Sequence, residues 1–277
     1  MVLGISCSSI VVALLLLLMI LYAVSQTVRY RLKFVIYIIL VAISATAFIP
    51  LMVFRPRDWR NASIPAFLCN QVGKLLGVNI ISRGHENIVD DTGSVVLINH
   101  QSGLDLLVLS TLWLIMDRCT VVSKKEILYL GPFGLASWLW GTIFIDRLNA
   151  EKAQNTINST AEIIKKKKAK LCLFPEGKRH AGTTLLPFKK GAFHVAVASQ
   201  IPIQPVVVSR YYFLNDKLKK FDSGTVYVTI LPAIPTAGLT KEDIPTLIEK
   251  VHSVMNKTFQ ESSQEVLVNH AKAVKSE

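Results

Sequence analysis

The chain has 277 residues, 51% of them hydrophobic and only 18% charged, with 31 Lys+Arg against 19 Asp+Glu and a formal net charge of +12. Disorder is excluded because so much apolar surface can offset the entropy of ordering, and Gly 14, Pro 11 and Cys 4 exclude collagen-like and disulfide-framework classes. An apolar yet basic chain points to an anionic partner: nucleic acid, an anionic membrane surface or a phosphorylated substrate.

The apolar excess is concentrated at the N-terminus. Residues 1–28 carry no charged side chain, and Leu14 to Leu18 is an unbroken leucine run. A second uncharged run covers the 21 residues from Phe34 to Phe54. As a helix it spans about 32 Å, against about 30 Å of hydrocarbon core. The basic stretch Arg29-Tyr30-Arg31-Leu32-Lys33 links the two runs. Residues 1–55 are therefore expected to form a membrane helical hairpin, crossing the bilayer or dipping into one leaflet. A cleavable signal peptide is the competing reading, with Ala23-Val24-Ser25 as a small-x-small site. Against it stand the missing charged n-region and an apolar run longer than the usual 7–15 residues or so. Arg55, Arg57 and Arg60 balance Arg29, Arg31 and Lys33, so the positive-inside rule sets no orientation. Residues 56–77 mix Trp59, Ile64, Phe67, Leu68, Val72, Leu75 and Leu76 with polar side chains. That is the pattern of an interfacial amphipathic helix interrupted at Pro65, or of a core helix of the following domain.

From residue 78 to 277 the pattern becomes α/β. Strands are predicted at Asn79–Arg83, Val95–Ile98, Thr120–Ser123, Ile143–Asp146, Leu171–Phe174, Pro205–Ser209 and Val226–Leu231. Helices are predicted at Leu104–Met116, Ala150–Lys168, Gly191–Ser199 and Lys241–Ala271. Several strands are apolar throughout, as in a sheet covered on both faces. The alternation predicts a mostly parallel or mixed central sheet of about seven strands flanked by helices. Cys7, Cys69, Cys119 and Cys172 show no CxxC spacing, so free buried thiols are expected rather than a zinc or redox motif.

Four clusters carry possible chemistry. His100 follows the strand Val95–Ile98, at the carboxyl end where open α/β sheets place ligands. Asp105 lies five residues on, past Gly103. The turn lets the carboxylate hold one imidazole nitrogen while the other serves as a base; a capping Asp beside a loop His is the plainer alternative. Gly141-Thr142-Ile143-Phe144-Ile145-Asp146-Arg147 ends an apolar strand in a charged pair, a bidentate phosphate ligand or a structural ion pair. Phe174-Pro175-Glu176-Gly177-Lys178-Arg179, with Lys189 and Lys190 before a helix start, supplies anion donors at another strand end. Ile201 to Ser209, with Pro202, Ile203, Pro205 and Val206, has no titratable group and reads as a wall, of the core or of an acyl slot.

In this order and spacing the blocks resemble the glycerolipid acyltransferases, specifically the 1-acylglycerol-3-phosphate (lysophosphatidic acid) acyltransferases. The family's HxxxxD motif matches His100 and Asp105, its second block Gly141 to Arg147, its FPEG block Phe174 to Arg179, and its proline-containing fourth block Ile201 to Ser209. The resemblance covers about Ile80 to Tyr212, with a membrane hairpin expected before it. The family usually reads EGTR where this chain has Glu176-Gly177-Lys178-Arg179, so Lys178 adds a charge beside the phosphate region. The resemblance implies transfer of a fatty acyl group from acyl-CoA to the sn-2 hydroxyl of lysophosphatidic acid. His100 would be the general base and Asp105 would fix its tautomer. Backbone N–H groups of the turn after His100 would meet the oxyanion. Arg147, Lys178 and Arg179, with Gly177 and Lys189, would hold the acceptor phosphate, and Glu176 would orient those cations. No cofactor or metal is implied, acyl-CoA being a co-substrate, and the partners are membrane lipids rather than nucleic acid. An endoplasmic reticulum membrane with the catalytic domain facing the cytosol is the implied setting. A serine hydrolase using Ser102 would need the GxSxG elbow, with Gly where His100 stands. A non-catalytic lipid-binding scaffold leaves HxxxxD at a strand end without a reason.

Overall fold

The computed structural model describes residues 7–145, 160–161 and 164–276. Strand β2 (Ser94–Ile98) has every side chain buried, as a strand covered on both faces must. Around it lie β1 (Val78–Arg83), β3 (Cys119–Lys124), β4 (Ile143–Ile145), β5 (Lys170–Leu173), β6 (Ile203–Val208) and β9 (Gly224–Ile230), in the order β1-β9-β6-β2-β5-β3-β4. Every pairing is parallel except that of β6 with β9. The seven strands predicted from the sequence are all present, their ends moved by one or two residues. A small ribbon, β7 (Leu214–Asn215) with β8 (Lys220–Phe221), is additional; two-residue strands carry no readable alternation.

The alternation of β2 divides the core into two layers. Val96 and Ile98 face the layer of α4 (Ser63–Leu75) and α5 (Asp105–Ile115), where they join Val72, Leu76, Leu107 and Leu112. Val95 and Leu97 face α7 (Gly191–Ser199) and α8 (Ile244–Ser276), where they join Phe193, Val251, Met255 and Phe259. The steps of four residues along α8 put those last three on one helical face. Of the helix predicted over Ala150–Lys168, only residues 160–161 and 164–168 are described, and these are helical up to residue 167, with Lys168 in a turn at φ +50.

At the N-terminus are α1 (Cys7–Val24), α2 (Gln26–Thr46) and α3 (Ile49–Met52). The chain breaks at Ser25 and not over Arg29–Lys33, which is part of α2. Ser25 caps α2 by accepting from Val28 N, and Arg29 reaches back to the carbonyls of Tyr22 and Ala23 at the end of α1. A hydroxyl at the N-cap and a cation on the preceding helix's last carbonyls favour this break. Among the described residues, Gln26–Met52 is long and apolar enough to cross a membrane. That helix has two faces. Tyr37, Val41 and Ala45 are buried toward the domain, whereas Val35, Ile38, Ile39 and Ile43 are exposed. Along α1, Leu14 to Leu18 are all exposed.

Pro65 does not interrupt α4. It is the third residue of that helix, in the first turn, where the N–H it lacks would bond nothing within the helix. Ala66, Cys69 and Val72 are buried, while Ile64, Phe67 and Leu75 remain exposed along the other side. Helix α6 (Gly131–Leu139) was not predicted; it is short, largely apolar and without strong periodicity.

Candidate active site

The central feature is the connection from β2 to α5. Asn99, fully buried, extends the sheet with its side chain: its amide donates to Val208 O at 3.0 Å, and its carbonyl accepts from Val208 N at 2.7 Å. The chain then turns through His100 to Leu104. Asp105, the first residue of α5, points back into that turn. Its Oδ2 meets His100 Nδ1 at 2.6 Å and accepts from Gln101 N at 2.7 Å and Ser102 N at 3.0 Å. Its Oδ1 accepts from Tyr211 Oη at 2.7 Å. The Asp105 side chain is 3% exposed and the His100 side chain 19%, so the carboxylate is sealed while the imidazole is reachable. Phe174 stacks on the imidazole with centroids 4.0 Å apart. With Nδ1 engaged, Nε2 is the ring nitrogen left to the cleft.

These bonds leave little of the turn for an oxyanion. Gln101 N and Ser102 N serve the carboxylate, and Leu104 N donates to Ser102 Oγ at 2.9 Å. Of the amides between Gln101 and Leu104, only that of Gly103 is outside these bonds.

The loop after β5 closes the other side. Gly177 sits at φ +72, a backbone conformation that favours glycine. Glu176, expected to orient cations, has a different task. Its Oε1 accepts from His100 N at 2.8 Å and its Oε2 from Leu186 N at 2.9 Å, with the residue 3% exposed. The carboxylate therefore ties this loop to the His100 turn. His180 N adds a bond to His100 O at 2.8 Å.

One cleft takes in His100, Asp105, Phe174, Gly177 and Arg179, together with Lys124 at the end of β3. Lys178 is exposed and outside its lining, and Lys189 packs over Gly177 on the loop's outer side. Asp146 and Arg147 lie outside the described residues. In the fourth block, Ile203, Pro205 and Val206 are buried in β6, with Pro202 just before it, and none of the four lines this cleft. The sequence reading passed over an apolar cavity beside the cleft, bounded by Val41 and Ala45 of α2, Ala66 and Cys69 of α4, and Leu109 and Trp113 of α5. The two share Leu106, Leu109, Val121, Phe133 and Trp140. Burial pushes the Cys69 thiol up to about 11, so it stays neutral there. Also missed was Tyr37, whose hydroxyl donates to Gly103 O at 2.9 Å. Nothing in linear spacing links Tyr37 or Tyr211 to the turn; the available signal for Tyr37 was a tyrosine in an otherwise apolar run.

Comparison with known proteins accords with this geometry. Residues 79–209 match the family described as Acyltransferase. The human 1-acyl-sn-glycerol-3-phosphate acyltransferase beta is 37% identical over 264 residues, covering 94% of this chain and 94% of its own. This chain belongs to the 1-acyl-sn-glycerol-3-phosphate acyltransferase family. Another relative in the family, the human alpha enzyme, is 36% identical over 240 residues, covering 86% of this chain and 84% of its own. The family also includes the Haemophilus influenzae 1-acyl-sn-glycerol-3-phosphate acyltransferase, 32% identical over 206 residues, 74% of this chain and 85% of its own. The crystal structure of the 1-acyl-sn-glycerophosphate (LPA) acyltransferase PlsC from Thermotoga maritima shares the fold, with a TM-score of 0.63 at 18% identity over 85% of this chain and 98% of that one.

Proposed function

We propose that this protein transfers a fatty acyl group from acyl-CoA to the sn-2 hydroxyl of 1-acyl-sn-glycerol 3-phosphate, giving phosphatidic acid and CoA. The observation that carries this reading is the 2.6 Å contact between His100 Nδ1 and Asp105 Oδ2 in a cleft that also holds Arg179. An alcohol is a weak nucleophile at neutral pH, and a positioned base contributes roughly 10²–10⁴-fold. His100 Nε2 takes the hydroxyl proton as the oxygen attacks the thioester carbonyl. Asp105 keeps the other proton on Nδ1 and stabilises the imidazolium that forms. Collapse of the tetrahedral intermediate makes the ester C–O bond and breaks C–S. The imidazolium then returns its proton to the leaving thiolate. The thioester arrives activated, so the reaction asks for no metal or prosthetic group.

The Gly103 amide is the donor that the turn has left for the oxyanion. Arg179, the cation of the 174–179 block that lines the cleft, takes the acceptor phosphate. The apolar cavity beside the cleft suits an acyl chain. The exposed apolar faces of α1 and α2 suit a protein held at a membrane, which we assign to the endoplasmic reticulum with the cleft on the cytosolic side.

The test is acyl transfer by purified protein, offered acyl-CoA with lysophosphatidic acid, other lysophospholipids and glycerol 3-phosphate in turn. Phosphatidic acid is the expected product. His100→Ala should lower its formation at least about a hundredfold with thermal unfolding unchanged. Acylation of a different acceptor in preference to lysophosphatidic acid would overturn the substrate assignment. A folded His100→Ala protein with near-normal turnover would overturn the mechanism.

A further inference from the structure

Asp105 accepts four hydrogen bonds, and they are unevenly divided. Three converge on Oδ2, from His100, Gln101 and Ser102, while Oδ1 has the single donor Tyr211. We propose that Tyr211 is a positioning residue for acyl transfer, its hydroxyl holding the Asp105 carboxylate in the orientation and charge state that keep His100 a base. This rests on the roles given to His100 and Asp105 above.

Tyr211 lies beyond β6, 106 residues from Asp105 in sequence, and is 5% exposed. Its place is built rather than incidental. The Gln101 side chain, one residue from His100, donates to Val208 O at 3.1 Å and Ser209 O at 3.0 Å, and accepts from Tyr211 N at 3.4 Å. The ring packs against Phe213 with centroids 5.8 Å apart. The same turn thus carries the imidazole, fixes the segment after β6, and receives that segment's hydroxyl on its carboxylate. Burial, and secondarily the Asp105 charge, hold the phenol's pKa well above its ordinary value, so Tyr211 remains a donor throughout the working pH range.

Two consequences follow. A donor on Oδ1 opposes rotation of the carboxylate, so Oδ2 stays presented to Nδ1. A hydrogen bond to the ionised carboxylate also disperses its charge. Without it, Asp105 stabilises the imidazolium more strongly, and the acid limb of the rate profile moves upward.

Other charged or titratable groups face this cluster from each surrounding element. Lys124 and Arg179 lie on the exposed side of the cleft, and Cys172 of β5 lines it. The Glu176 carboxylate meets the His100 backbone, and the backbone of His180 bonds to it. Tyr37 of α2 meets Gly103, with Cys69 of α4 near it. Tyr211→Phe leaves all of these in place, so a shift in the profile reports on the Tyr211–Asp105 bond.

The experiment measures kcat and KM of the full-length protein across pH for wild type, Tyr211→Phe and His100→Ala, each with its thermal unfolding curve. For Tyr211→Phe we expect kcat at neutral pH to fall about tenfold, with KM for both substrates within about twofold of wild type. The acid limb should move up by roughly 0.5–1 pH unit. An unmoved limb overturns the inference, whether kcat is preserved or falls together with Tm. If His100→Ala is inactive while Tyr211→Phe behaves as wild type, only the role of Tyr211 is lost. If His100→Ala is active, the base assignment falls with it. Should Tyr211→Phe not fold, site-specific 3-fluorotyrosine at position 211 keeps the hydroxyl and makes it a stronger donor. The acid limb should then move down, and an unmoved limb overturns the inference equally.

Discussion

Glu176 illustrates how a charged residue beside cations can serve the backbone instead. Both its oxygens accept from half-buried amides, one of them His100 N. In Glu176→Ala two donors lose their partner at about 1–3 kcal/mol each. Stability should fall by on the order of 3 kcal/mol, and kcat should fall with it because the His100 turn is released. Glu176→Gln, which keeps one acceptor oxygen, should lose less of both. Denaturant unfolding and initial rates on the two variants check this, and equal losses would contradict it. Arg179 is the contrasting case, an exposed cation lining the cleft. Arg179→Ala should raise the KM for lysophosphatidic acid roughly tenfold, the loss expected of one charge-assisted bond, with kcat little changed. An unaltered KM would remove Arg179 from the phosphate site.

At the scale of elements, α2, α4 and α5 enclose the apolar cavity, and Cys69 lies on its wall from α4. Gly73 in α4 lets that helix approach closely: a Cβ there would stand 3.2 Å from Leu107. Cys69→Trp would fill the space at a packing cost of about 1–3 kcal/mol. If the cavity holds the acyl chain, kcat/KM should fall far more with hexadecanoyl-CoA than with octanoyl-CoA. A uniform fall with both donors would place the chain elsewhere.

Considered as a whole, the molecule joins its apolar N-terminal helix to the turn that carries His100. Tyr37 of α2 bonds Gly103 O, and Val41 and Ala45 of the same helix wall the cavity. α1, in contrast, has its leucine run exposed throughout. Removing residues 1–24 should therefore leave detergent-solubilised activity within about twofold, since α1 lies at the periphery of the fold and buries none of its leucines. Removing residues 1–55 should abolish it, because the buried face of α4 is laid bare. Sedimentation and transfer assays on the two truncations test this, and full activity of the shorter protein would show that α2 serves only as an anchor.

The centre of the sheet was legible in the sequence because β2 and β6 are buried along their whole length and so read as largely apolar runs. The pairing of His100 with Asp105 was legible because the two residues flank one turn between a strand and a helix. The helix break at Ser25 was passed over because an N-cap hydroxyl is a weaker signal than a run of charges. The direction of Glu176 was not readable, since the turn at Gly177 and the fold of the 174–190 loop set it, not the cations beside it in the chain. Tyr37 and Tyr211 lie 68 and 106 residues from Asp105, distances over which side-chain periodicity carries no information. Local chemistry thus determined the sheet and set His100 and Asp105 on one turn, while the family resemblance supplied the expectation that they act together. Tertiary packing decided the cavity, the direction of Glu176 and the fourth bond on Asp105, because each depends on which distant segments meet at the sheet's carboxyl edge.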